Sequence, residues 1–90
     1  MIVLGSTGSI GVNTLNIARK FKLNVEVLVA GSNIELLNKQ IAEFNPDVVV
    51  IGSKENIHKV NHTNVFSGQE AILEAIENST SKTVVNSLVG

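Results

Sequence analysis

The sequence predicts an α/β domain, a parallel sheet covered by helices on both faces. Three observations predict it. Short apolar runs alternate with segments of helical apolar spacing along the whole chain. The runs are apolar throughout rather than on every second residue, as in strands buried on both faces. And the first run passes into the first helical pattern through a glycine-rich turn, Gly5-Ser6-Thr7-Gly8-Ser9-Ile10-Gly11.

Met1-Ile2-Val3-Leu4 is the first strand. After the turn, Ile10, Thr14, Ile17, Ala18 and Phe21 recur at helical spacing and mark the expected inner face of the first helix. Arg19, Lys20 and Lys22 gather at its end, where cations suit the negative end of the helix dipole. Val25 to Ala30 is a second strand, ending at Gly31-Ser32-Asn33. Asn33 is a good N-cap and Glu35 falls in the first turn of the next helix. Ile34, Leu37, Ile41 and Phe44 form its apolar stripe, and Asn45-Pro46 stops it.

Val48-Val49-Val50-Ile51 is a third strand. Ser53 is placed to cap a short helix reaching about Val60, with Ile57 and Val60 facing in. Val65-Phe66 is only a brief apolar segment. Ser67-Gly68-Gln69-Glu70 has the form of a capping box, followed by Ile72, Leu73, Ala75 and Ile76 on an inner face. Thr83-Val84-Val85 is a fourth strand, running into Asn86 to Gly90. Right-handed crossovers place four such strands in the order 3-2-1-4, a Rossmann-like, three-layer arrangement incomplete at one edge. The switch point then lies between strands 1 and 4, where the glycine turn and Asn86 to Gly90 both open.

The chemistry of that turn is specific. A strand that becomes a helix within a few residues needs dihedrals that glycine tolerates. Gly8, lacking a side chain, lets a pyrophosphate approach the backbone, and Gly11 lets the helix pack closely on the first strand. The helix start supplies unpaired N–H groups and a positive dipole end. Ser6, Thr7 and Ser9 add hydroxyl donors. The spacing is G-x-x-G-x-x-G, and no Lys-Ser/Thr pair follows the last glycine, so this is no P-loop. A plain turn without a ligand is the alternative. Three regularly spaced glycines with hydroxyls between them argue against it.

Composition excludes several classes. Ninety residues make at most one small domain, and a net charge of −1 points to neither nucleic acid nor an anionic membrane surface. The absence of cysteine excludes thiol redox chemistry and a disulfide framework. No signal peptide pattern and no run of transmembrane length is present, so a cytosolic location is expected. The end at a strand-to-turn boundary is expected to mark an incomplete domain. Its last strand would then be an open edge prone to self-association. His58 and His62 share a spacing of four, which could place two metal ligands on one face, but no third ligand is evident and a solvated surface is expected. Asp47 and Glu55 flank the third strand without forming a convincing acid–base pair.

The tip of the second strand bears on cofactor choice. An NAD site usually offers Asp or Glu there to hold the ribose hydroxyls. Here the tip is Ala30-Gly31-Ser32-Asn33, with no carboxylate to repel a 2′-phosphate.

The glycine turn, the Ala30 to Asn33 tip, the Phe44-Asn45-Pro46 break, the Ser67 to Glu70 segment and the closing Asn86-Ser87-Leu88-Val89-Gly90 together resemble 1-deoxy-D-xylulose 5-phosphate reductoisomerase. The resemblance runs through residues 1–90 and covers only the N-terminal, NADPH-binding part of that enzyme. It implies cofactor contacts from Thr7, Gly8, Ser9 and Ile10 at the pyrophosphate and nicotinamide side. Gly31, Ser32 and Asn33 would lie near the adenosine 2′-phosphate. It implies NADPH as cofactor, Mg²⁺ or Mn²⁺ held by ligands outside this chain, a sugar phosphate substrate, and a homodimeric parent enzyme. Catalytic and C-terminal domains would lie beyond residue 90, so the piece alone would be inactive. Ser32 departs from the Lys or Arg common in that family, donating a hydrogen bond without charge. Readings from the glycine turn alone are another NAD(P) dehydrogenase, such as a semialdehyde dehydrogenase, or a non-catalytic nucleotide- or CoA-binding module.

Overall fold

A computed structural model describes residues 1–81 and 83–87. The order of elements is β1 (Ile2–Leu4), α1 (Ser9–Lys20), β2 (Val27–Val29), α2 (Ile34–Phe44), β3 (Val48–Ile51), a 3₁₀ helix (Lys54–Lys59), β4 (Val65–Ser67), α3 (Gln69–Asn78) and β5 (Val84–Asn86). All strand pairs are parallel, and the sheet runs β4-β3-β2-β1-β5. The expected order 3-2-1-4 survives as the inner part of this sheet. The correction is a fifth strand at the edge: Val65–Ser67, read from sequence as a brief apolar segment, pairs with Val49–Ile51. An edge strand with one face open needs no long apolar run, and its central Phe66 is half exposed. The segment Leu88 to Gly90, expected to open onto the switch point, lies outside the described residues.

Strand residues alternate between two cores. Val3, Leu28, Val49 and Ile51 face α1 and α2, meeting Leu15, Ala18, Leu37 and Ile41. Ile2, Leu4, Val27, Val29 and Val50 face α3, meeting Ala75 with Ile72 and Ile76 beside it. Each fully buried Val, Leu or Ile contributes about 1.5–3 kcal/mol. That burial, more than ladder length, explains how strands of three or four residues persist.

Three local expectations are corrected. Helix α1 does not bury Ile10, Ile17 and Phe21, which are 57%, 54% and 64% exposed; it buries Gly11, Leu15 and Ala18. The reason is the contact of Gly11 with the turn, which fixes the rotation of the helix about its axis. Residues four and seven further along then face the sheet. Helix α3 has no capping box: its N-cap is Gly68, at φ 94°, with no side-chain cap bond. Ser67 is drawn into the sheet opposite Ile51, so the cap falls one residue later. Leu73 is likewise exposed. The segment after Ser53 is a 3₁₀ helix without a side-chain cap, although Val60 is buried as expected. Other signals hold. Asn33 caps α2, its Oδ1 accepting from the Leu36 amide at 3.2 Å. Asn45 ends it in the left-handed conformation (φ 47°) before Pro46.

Candidate functional site

The turn after β1 and the tip of β2 emerge side by side, because Leu4 pairs with Val29. The amides of Gly5 and Ser6 both donate to the Val29 carbonyl, at 2.7 and 2.9 Å. On the other side Leu4 pairs with Asn86, so β1 is flanked by β2 and β5 and the switch point lies between β1 and β5. Residues 7–10 and 31–33 therefore stand close together at the carboxyl ends of the strands, where open α/β sheets have their ligand crevice. Thr7 is half-buried; Gly8, Ser9, Ile10, Gly31, Ser32 and Asn33 are exposed.

The glycines separate into two kinds. Gly5 adopts φ +85°, where L side chains are strained, and a Cβ there would meet the Ser87 hydroxyl at 2.5 Å. A Cβ on Gly11 would come within 2.1 Å of the Gly5 carbonyl oxygen. The fold itself demands these two. Gly8 sits in ordinary extended backbone (φ −81°, ψ 174°), and its Cβ would meet nothing nearer than 3.6 Å. Nothing lies within 4 Å of a Cβ on Gly31. The fold demands neither, so both leave backbone open to something that approaches from outside.

Most donors at the crevice are unspent among the described residues. The first helical bond of α1 is Val12 N–H to the Gly8 carbonyl, at 2.9 Å, which leaves the amides of Ser9 and Ile10 without an intrahelical acceptor. The Thr7 amide, the Thr7 and Ser9 hydroxyls and the Ser32 hydroxyl have no partner among the described residues. Asn33 spends its oxygen on the cap and keeps its NH₂. Ser6 is the exception to the expected set. It is wholly buried, so its hydroxyl cannot reach a ligand.

Turn carbonyls, by contrast, are held from behind. Ser87 donates through its amide (2.8 Å) and its hydroxyl (2.8 Å) to the Leu4 oxygen, and through the same hydroxyl to the Gly5 oxygen at 2.9 Å. The Gly5 oxygen also accepts from the Gly8 amide at 3.1 Å. Gln40, buried on α2, donates to the Ser6 oxygen at 2.8 Å. Neither side chain was singled out from sequence. For Gln40 a signal exists, a polar residue between Leu37 and Ile41 on the apolar stripe. Ser87 shows none.

Residues 7–10 and 31–33 include no titratable side chain and offer backbone amides and hydroxyls instead. The groups with a shifted pKa sit elsewhere. Bonds from Ser79, Thr80 and Ser81 hold the Glu26 carboxyl below its usual range, at the amino end of β2. Glu43 is lowered by its bond with Arg19. A groove of about 380 Å³ near Glu26, lined also by Asp47, Phe66 and Glu74, lies at that amino end, away from the turn. Ligands of open α/β sheets bind at the other end. His62 is no metal ligand: Nε2 donates to the Pro46 carbonyl (2.7 Å) and Nδ1 accepts from the Asn64 amide (3.0 Å). It is half-buried, not the solvated surface group expected. Among the described residues no group of three or more His, Cys, Asp or Glu is placed to hold a metal, and no helix is long and apolar enough to cross a membrane.

A parallel α/β sheet with a glycine turn at its switch point and a helix start offering free amides is the architecture on which open α/β sheets carry dinucleotide sites. Comparison with known proteins makes this particular. The model of the 1-deoxy-D-xylulose 5-phosphate reductoisomerase family matches residues 1–90, and the chain belongs to that family. It is 54% identical over 90 residues to the 1-deoxy-D-xylulose 5-phosphate reductoisomerase of Nautilia profundicola and 52% identical to that of Campylobacter hominis, covering all of this chain and 25% of each relative. The chain thus spans about a quarter of the length of these relatives. A crystal structure of DOX-P reductoisomerase with magnesium superposes with a TM-score of 0.83 at 27% identity, over 92% of this chain and 23% of that one. Another, with NADPH, fosmidomycin and magnesium, gives 0.81 over 92% and 22%.

Proposed function

We propose that this chain is the NADPH-binding part of a longer reductoisomerase, which rearranges and reduces 1-deoxy-D-xylulose 5-phosphate to 2-C-methyl-D-erythritol 4-phosphate. One observation carries the reading. Gly8 and Gly31 are the crevice glycines that the fold does not need, and each stands beside unspent donors. The residues fit the cofactor. Thr7, Ser9 and Ile10 hold the pyrophosphate on backbone amides and hydroxyls at the positive end of α1, and Gly8 lets it approach the backbone. Gly31 admits the adenosine ribose, while Ser32 and Asn33 donate to its 2′-phosphate. Glu26 lies at the far end of β2 and is engaged by Ser79 to Ser81, so it does not oppose that phosphate.

NADPH supplies the hydride when bound. The residues of this chain bind and orient it; they do not grip the sugar phosphate. A substrate must be held in near contact with the nicotinamide for transfer, and orientation supplies much of the rate. The described residues include no group placed to hold a metal, and residues 7–10 and 31–33 include no titratable side chain. The metal ligands and substrate pocket are assigned to the catalytic region of the longer, cytosolic and homodimeric enzyme. The test is a pair of titrations and an assay. The chain should bind NADPH more tightly than NADH, and should oxidise no NADPH with deoxyxylulose phosphate and Mg²⁺ or Mn²⁺. Tighter NADH binding contradicts the cofactor reading; turnover contradicts the division of labour.

A further inference from the structure

We propose that Gln40 and Ser87 are positioning residues for the cofactor, holding the glycine turn from opposite sides so that its amides face the pyrophosphate. This rests on the NADPH reading above. A turn that presents N–H groups to an anion must direct its carbonyls elsewhere and keep them there. The carbonyls of Leu4, Gly5 and Ser6 are all held: the first two by Ser87, just after β5, the third by Gln40 from α2. No bond links either side chain to residues 7–10, so their influence passes through Gly5 and Ser6.

The identity of each residue supports a role beyond packing. Gln40 lies on the apolar face of α2, where leucine or methionine would fill the same space. Its Oε1 is buried with no protein partner among the described residues, a cost to the fold that only the bond to Ser6 offsets. Ser87 and Gly5 are mutually fitted. The space that a Cβ on Gly5 would take is the space the Ser87 hydroxyl occupies. A turn fixed before binding spends less ordering entropy when the pyrophosphate arrives.

The test compares two ligands on the protein and on Gln40→Met, Ser87→Ala and Ser87→Thr. NADPH uses the whole crevice; adenosine 2′-monophosphate engages only the Gly31 to Asn33 side. Losing the side-chain hold on the turn, one bond for Gln40→Met and the hydroxyl shared between two carbonyls for Ser87→Ala, predicts a roughly three- to tenfold rise in the NADPH dissociation constant. The 2′-monophosphate should bind unchanged. Ser87→Thr keeps the hydroxyl and should retain affinity. Gln40→Met exchanges the orphaned Oε1 for an orphaned Ser6 oxygen, so its melting temperature should move little. If Ser87→Ala fails to fold, Gln40→Met decides the question alone. Unchanged NADPH affinity in the variants overturns the proposal while leaving the cofactor reading intact. Equal weakening of both ligands also overturns it, by showing general destabilisation. An unmodified protein that binds no NADPH overturns both.

Discussion

The two ends of the sheet are built from similar polar residues put to opposite uses. At the amino end several polar side chains are spent on other parts of the chain. Glu26 accepts from Ser79, Thr80 and Ser81 and so fastens the loop between α3 and β5. His62 uses both ring nitrogens, and the Asn64 side chain donates to the Asp47 carbonyl. At the carboxyl end, Thr7, Ser9 and Ser32 keep their hydroxyls free and the start of α1 keeps its amides free. Polar groups that satisfy one another hold a fold; polar groups left unspent beside small glycines await a partner. On the proposed reading, that contrast separates a structural end from a binding end.

The contrast breaks most severely at Gly11. Its replacement by alanine drives a Cβ to 2.1 Å from the Gly5 carbonyl oxygen, a backbone atom that cannot swing away. Overpacking of this kind costs about 3 kcal/mol or more, so thermal melting should show a largely unfolded or strongly destabilised protein. Gly8→Val is the matched opposite. Extended backbone there accepts a β-branched residue, and the fold should melt within a few degrees of the unmodified protein. NADPH affinity should fall by about tenfold or more, equivalent to at least about 1.4 kcal/mol. A Gly8 variant that loses stability but binds normally would make the turn purely structural.

Glu26→Gln tests the other end. The folded carboxyl titrates below its unfolded value, so its contribution to stability is present at neutral pH. That contribution disappears as pH falls below about 4.5. The variant should melt lower than the parent at pH 7, with the gap closing in acid, and should bind NADPH as the parent does. Weakened NADPH binding at unchanged stability would place Glu26 in the wrong group. The smallest effect is expected from Ser32→Asp, which sets an exposed, salt-screened carboxylate near the 2′-phosphate. The preference for NADPH over NADH should fall by up to about tenfold, and less at high salt.

Much of this was legible in the sequence because it depends on neighbours along the chain. The glycine turn, the Asn33 cap, the Pro46 stop and the apolar strands are all local patterns. What was missed depends on contacts across the fold. The rotation of α1 is set by Gly11 against Gly5, not by its most apolar stripe, so Ile17 and Phe21 face outward. Val65–Ser67 becomes a strand only because β3 offers it an edge, and that pairing also removes Ser67 as a cap. Gln40 and Ser87 reach the turn from 34 and 82 residues away in sequence, and no local spacing reports such a bond. The burial of Ser6 has the same origin.

The most direct test of the contrast is a titration of the ¹⁵N-labelled protein with NADPH, followed amide by amide. Shifts concentrated at Thr7 to Ile10 and at Gly31 to Asn33, with Glu26, His62 and Ser79 to Ser81 unmoved, are the predicted result. Shifts centred on the amino-end groove, or none at the glycine turn at saturating cofactor, would contradict it.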